Sequence, residues 1–110
     1  MVGRSQLARG QVWFVTFDGL AQDRPSIVLT RPSLAPRILQ QLVIPCTRTV
    51  RNVQSEVLLT PADGLPDDCV ANAAQATVAH VAQFRRLICT LSTAKMDEIG
   101  QALAWFAGLV

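Results

Sequence analysis

A single histidine, His80, leaves no room within one subunit for an acid–base site built on two imidazoles. His80 is therefore expected to be structural. The three cysteines, Cys46, Cys69 and Cys89, are odd in number, widely spaced and without a CxxC pair. They match neither a disulfide framework nor a zinc site, and read as buried, reduced thiols of a cytosolic protein. No apolar run approaches the length of a membrane span, and the N-terminus carries no signal-peptide core. A cytoplasmic protein without a membrane partner is expected. HExxH, GxxxxGK[ST] and GxGxxG are all missing, and the carboxylates are scattered. Motif support for a zinc peptidase, a P-loop nucleotidase, a dinucleotide enzyme or a two-metal nuclease is thus absent, and no metal or cofactor is expected.

Charge is also scarce, at 16% of residues against 50% apolar. A chain of 110 residues with that balance is one folded domain rather than a disordered one. Its lean surface charge points to apolar area hidden against another copy, hence a homodimer. The charge that is present is unevenly placed. Residues 1–60 hold seven arginines against Asp18, Asp23 and Glu56, whereas residues 61–110 hold three bases against five acids. Nine of the ten basic residues are arginine, the side chain suited to bidentate phosphate contacts.

β-Forming runs dominate. Strands are expected over Gln11–Asp18, Ser26–Thr30, Ile38–Thr47, Glu56–Thr60, Cys69–Ala73 and Arg86–Leu91, separated by Gly-, Pro- and Asp-rich turns. In the third run Ile38, Leu42 and Ile44 share one parity, and Pro45 marks an edge or a bulge. The alanine-rich stretch after Ala73 is compatible with a helix. Ser92 is an N-cap candidate for a final helix whose apolar stripe is Met96, Ile99, Leu103, Phe106 and Val110. Short strands followed by one amphipathic helix predict a small, strongly bent sheet or barrel with a helix packed on it.

Two short motifs carry the chemistry. Asp23-Arg24-Pro25 opens the run Ile27-Val28-Leu29, and Ile44-Pro45-Cys46-Thr47 closes the next one. Pro25 stiffens the backbone and biases Arg24 towards an extended conformation at the mouth of a strand. An arginine fork beside a hydroxyl grips an oxyanion, most naturally a phosphate. With Gln22, Asp23, Arg48 and Arg51 around them, Arg24 and Thr47 could orient an RNA 2′-hydroxyl and stabilise the charge on its own 3′-phosphate. The alternative is a strand-end arginine paired with Asp18 or Asp23, and a threonine in a turn.

In order along the chain, Arg9-Gly10-Gln11-Val12-Trp13, Arg24-Pro25 with Ile27-Val28-Leu29, Ile44-Pro45-Cys46-Thr47, Glu56-Val57-Leu58-Leu59, Gly64-Leu65, Asp68-Cys69-Val70-Ala71-Asn72, Gln75 and Leu91-Ser92 can be laid on one pattern. Through these pieces, about residues 9–109, the chain resembles the MazF/PemK group of toxin endoribonucleases. Residues 1–8 then form a polar lead-in and residues 9–110 the toxin domain. The resemblance implies an SH3-like β-barrel with a C-terminal helix, a homodimer, and metal-independent cleavage of single-stranded RNA to 2′,3′-cyclic phosphate and 5′-hydroxyl ends. It implies Arg24 and Thr47 as the catalytic pair and adds Gln75 to the RNA contacts. Its implied partner is the acidic, flexible tail of a MazE-like antitoxin. The sequence departs from the family in its short Gly19–Asp23 loop, which lacks a Gly-Ser-Glu segment, and in Ala74, where relatives often carry an acid. Two rivals use a similar fold: a CcdB-like gyrase poison acting through Trp105-Phe106, and a non-catalytic RNA-binding barrel.

Overall fold

The computed structural model describes residues Met1–Val110. Seven strands and one long helix follow in the order β1 (Gln11–Val15), β2 (Arg24–Val28), β3 (Gln40–Thr47), β4 (Glu56–Leu59), β5 (Cys69–Asn72), β6 (Thr77–His80), β7 (Phe84–Thr90) and α1 (Thr93–Phe106). The fold is mostly β with a C-terminal helix. Strands lie in the order β4-β5-β3-β2-β1-β7, with β6 beside β3, and every pairing is antiparallel. No ladder joins β4 to β7, so the sheet is bent and open rather than closed into a barrel.

β3 is the hinge of this arrangement. One edge pairs with β2 at Val43–Pro45; the other pairs with β6 at Gln40–Val43 and then with β5 at Cys46–Thr47. Pro45 falls in the gap between β6 and β5, where a missing N–H breaks no ladder on that edge. It therefore sits in a central strand at a change of partners, not on an edge. The same change undoes the expected parity of the strand: Ile44 is buried, whereas Leu42 is exposed opposite Val78.

Successive residues of the central strands feed two apolar clusters. Val12, Ile27, Leu29, Ile44 and Cys46 meet Leu59, Leu65, Ile99 and Ala102 in one. Trp13, Val15, Val28 and Val43 meet Leu7, Ala79, Val81 and Phe84 in the other, where Trp13 and Phe84 pack edge to face at 5.9 Å. Leu7, within the polar lead-in, is thus a core residue. The alanine-rich stretch forms no α-helix. It supplies β6, flanked by single 3-10 turns at Ala73–Gln75 and Val81–Gln83. His80 Nδ1 caps the second turn by accepting from Ala82 N at 3.0 Å, a structural role.

Ser92 caps α1, its Oγ accepting from Lys95 N at 3.1 Å. Ile99 and Ala102 are buried, and Met96 and Leu103 pack against the same cluster. The stripe then runs off the core: Phe106 is 52% exposed and Val110 85%. Gly108, at φ 76°, ends the helix, with Leu109 N donating to Ala104 O at 2.8 Å.

Candidate active site

Arg24 and Thr47 converge because of strand register. β2 and β3 pair Ser26 with Pro45 and Ile27 with Ile44. Continued two residues towards the strand ends, that antiparallel count sets Arg24 across from Thr47. Directly opposed residues share a face of the sheet, which puts both side chains at the same end of the two strands. Both line a cleft of about 650 Å³ whose walls are the β1–β2 loop, the segment after β3 and the loop before β5.

The state of each group bears on its chemistry. Arg24 is half-buried, and its guanidinium makes no ion pair and no hydrogen bond within the chain. Asp23, one of its possible partners, is occupied elsewhere: Thr16 Oγ1 donates to Asp23 Oδ1 at 2.6 Å while accepting from Arg85 Nε at 2.8 Å. Thr47 Oγ1 accepts from Thr49 N at 3.3 Å, which leaves its own hydroxyl proton free to donate. The cleft therefore offers an uncommitted cation beside an uncommitted hydroxyl donor.

Gln22, Asp23 and Arg48 line the same cleft. Arg48 is exposed and paired with Asp67 at 2.9 Å. Arg51 and Gln75 lie outside it. Arg51 contributes its backbone N–H, which with that of Val53 donates to the Glu56 carboxylate and fixes the loop before β4. Phe14 is a lining residue that the strand pattern had concealed as core. It shares the face of Val12 but lies beyond the packed cluster, and Arg86, opposite it in the β1–β7 ladder, stacks 4.9 Å from its ring centroid. A smaller hollow bounded by Phe14, Asp23, Arg85 and Arg86 adjoins the main cleft.

The wall before β5 is held firmly. Thr60 and Asp63 cap its 3-10 turn reciprocally, with Ala62 N donating to Thr60 Oγ1 at 3.1 Å and Thr60 N to Asp63 Oδ2 at 3.0 Å. Gly64, at φ 103°, lies so close to β7 that a Cβ there would stand 2.7 Å from Cys89 Cβ. Leu65 then plugs into the core. No three His, Cys, Asp or Glu side chains converge in a metal-binding group anywhere in the chain.

The chain and its fold have counterparts in known proteins. At 40% identity over 98 residues, covering 88% of this chain and 94% of the relative, it is similar to a protein of Mycobacterium tuberculosis named probable endoribonuclease MazF2. A second M. tuberculosis protein, named probable endoribonuclease MazF5, is 35% identical over 97 residues, 87% of this chain and 88% of its own. Among solved structures, a mycobacterial endoribonuclease in complex with its cognate antitoxin shares the fold with a TM-score of 0.85 at 21% identity, over 94% of this chain and 97% of that one. The model of PemK-like, MazF-like toxins of type II toxin–antitoxin systems matches residues 8–107. The chain belongs to that family.

Proposed function

We propose that the protein is the toxin of a type II toxin–antitoxin pair and acts as a metal-independent endoribonuclease on single-stranded RNA. The observation that carries this reading is the free Arg24 guanidinium and the Thr47 hydroxyl lining one open cleft. The curated relatives, named as endoribonucleases, support it over a gyrase poison acting through Trp105 and Phe106. Here the bent, open sheet is taken as the family's SH3-like barrel.

The reaction asks little of the protein beyond placement and charge. The substrate's 2′-hydroxyl is the nucleophile and its 5′-oxygen the leaving group, so the products are a 2′,3′-cyclic phosphate and a 5′-hydroxyl. As the phosphorus becomes five-coordinate, negative charge grows on its non-bridging oxygens. Arg24 meets that charge with a fork of N–H donors and Thr47 with its O–H, both held before the reaction by strand pairing. Gln22, Asp23 and Arg48 contact the adjoining nucleotides, while Arg51 and Gln75, outside the cleft, serve flanking RNA. A homodimer joined partly through exposed apolar side chains such as Trp105 and Phe106 would extend the groove across two subunits. An acidic antitoxin tail would occupy that groove in place of RNA, in keeping with the solved MazE–MazF structure from Deinococcus radiodurans, of similar fold.

Purified protein incubated with unstructured RNA and EDTA tests the proposal. RNA should be cut, and an all-DNA strand of the same sequence left intact, because the 2′-hydroxyl is both nucleophile and identity mark. Loss of cleavage on chelation, restored by added metal, would overturn it.

A further inference from the structure

The three cysteines, unremarkable in sequence, gather at one core cluster, and two of them, Cys46 and Cys69, also line the cleft. Cys46 on β3 is buried in the core cluster, and Cys69 at the start of β5 and Cys89 on β7 pack against that cluster. β3 and β5 pair Cys46 with Ala71 and Thr47 with Val70. Cys69 has the parity of Ala71, so its side chain projects from the same face as that of Cys46, one diagonal step away where the ladder ends. Both residues line the cleft.

Their environments differ in a useful way. The Cys46 thiol is shut in the core and holds its proton well above the usual cysteine range, because of the neighbouring Cys69 and because burial disfavours a charge there. Cys69 is half-exposed. The neighbouring Cys46 thiol lowers its pKa, against opposition from burial and from Asp68, Asp63 and Asp67. One partner is thus a reachable, more readily ionised sulfur, and the other a protonated sulfur poised behind it.

We propose that Cys69 is a site of oxidation by hydroperoxides, and that it closes on Cys46 as a disulfide that shuts down the cleft. In the first step the Cys69 thiolate attacks a peroxide oxygen. An S–O bond forms, the O–O bond breaks, and the departing oxygen takes up a proton to leave as water or an alcohol. In the second, the Cys46 sulfur attacks Cys69. The S–S bond forms, the S–O bond breaks, and hydroxide leaves with the Cys46 proton as water. Two electrons pass from the thiol pair to the peroxide.

The consequence follows from neighbours in the chain. Thr47 follows Cys46 directly, and Asp67–Asp68, part of the cleft wall, precede Cys69 directly. A disulfide demands its own spacing and torsion, so closing it re-aims the end of β3 and the wall facing it. With the catalytic reading above as its basis, an ångström-scale shift of Thr47 is expected to slow cleavage by about a hundredfold.

The test treats the full-length protein with hydrogen peroxide, then measures intact mass, maps the cross-link by peptide mass spectrometry, and follows both cleavage and binding of a single-stranded oligoribonucleotide. Expected are loss of two hydrogens, a Cys46–Cys69 peptide, the drop in cleavage, and recovery with dithiothreitol. Cys69→Ser, at a half-exposed position, should abolish the cross-link and the peroxide response, each judged against the same variant kept reduced. Cys46→Ala should do likewise, and Cys89→Ser should retain both. A cross-link to Cys89, oxygen addition without cross-linking, or a Cys46–Cys69 disulfide that leaves cleavage and RNA binding unaltered would each overturn the proposal. Reduced protein unable to cut RNA would count against the catalytic reading alone, since the mapped cross-link and its effect on RNA binding still decide the thiol pair.

Discussion

The cleft has a floor and a rim built on different principles. The floor is the neighbouring ends of β2 and β3, where Arg24 is held by its ladder to β1, Thr47 by its ladder to β5, and neither side chain's donor is consumed within the chain. The rim is loop. There Arg48 is 79% exposed and spends its charge on Asp67, and Arg51 serves the fold through its backbone N–H rather than its guanidinium. Arginine is thus present in both regions, but only on the floor is it both fixed and free. Fixed and free is the condition for stabilising a transition state, because a positioned donor needs no reorganisation when charge develops.

The sharpest way to break that contrast is to remove the floor. Arg24→Ala should lower kcat by about 10²–10³-fold with a far smaller change in RNA binding, the typical cost of losing a preorganised donor. Arg24→Lys should recover only part of the rate, since a point charge does not reproduce the fork. Thr47→Ala should be comparably severe, and Thr47→Ser mild. Single-turnover kinetics with a short RNA separate the terms. If Arg24→Ala raised KM and left kcat alone, the floor would be a binding surface like the rim.

The wall that joins rim to core gives the next effect. Gly64→Ala puts a Cβ 2.7 Å from Cys89 Cβ on a backbone at φ 103°, so stability should fall by about 1–3 kcal/mol, the range for overpacking. Urea unfolding would measure it. An unchanged midpoint would mean that the wall is looser than its caps imply.

Smallest is the rim itself. Arg48→Ala should cost less than about 1 kcal/mol in stability, because its bridge to Asp67 is exposed. It should weaken binding alike on all RNA sequences and reduce the salt slope by about one counterion. Arg51→Ala should do less. A sequence-selective loss from Arg48→Ala, seen in titrations at several salt concentrations, would promote the rim from electrostatic guide to reader.

Much of this was open to reading in the chain, and the failures have physical causes. Val12-Trp13-Phe14-Val15 and Ile27-Val28-Leu29 announced strands because β-branched and aromatic side chains suit a surface buried on both faces. Arg24 was conspicuous because Pro25 follows it. β6 is masked because its two β-branched residues, Thr77 and Val78, sit in an alanine-rich stretch, and the strand is held by its ladder to β3. Phe14 does not stand out as a cleft residue, since an apolar residue in a strand gives no sign of where the packed cluster ends. The parity of β3 failed because one strand serves two sets of neighbours, which periodicity does not register. Arg51 belongs to the polar loop after Thr47, but sequence proximity did not make it a cleft residue. The gathering of the cysteines required the register of three strands at once.

β3 also governs how the protein can come apart. It is bonded along both edges and sends alternate side chains into both apolar clusters, so neither cluster can open while the other stays closed. Loosening either cluster is thus expected to disturb the other, and hydrogen exchange should find the β3 amides among the slowest in the molecule. A cell carrying such a protein therefore cannot quieten it by a modest loosening of the fold. Restraint is then expected from a bound competitor in the cleft, from chemistry at its floor, or from destruction of the whole chain.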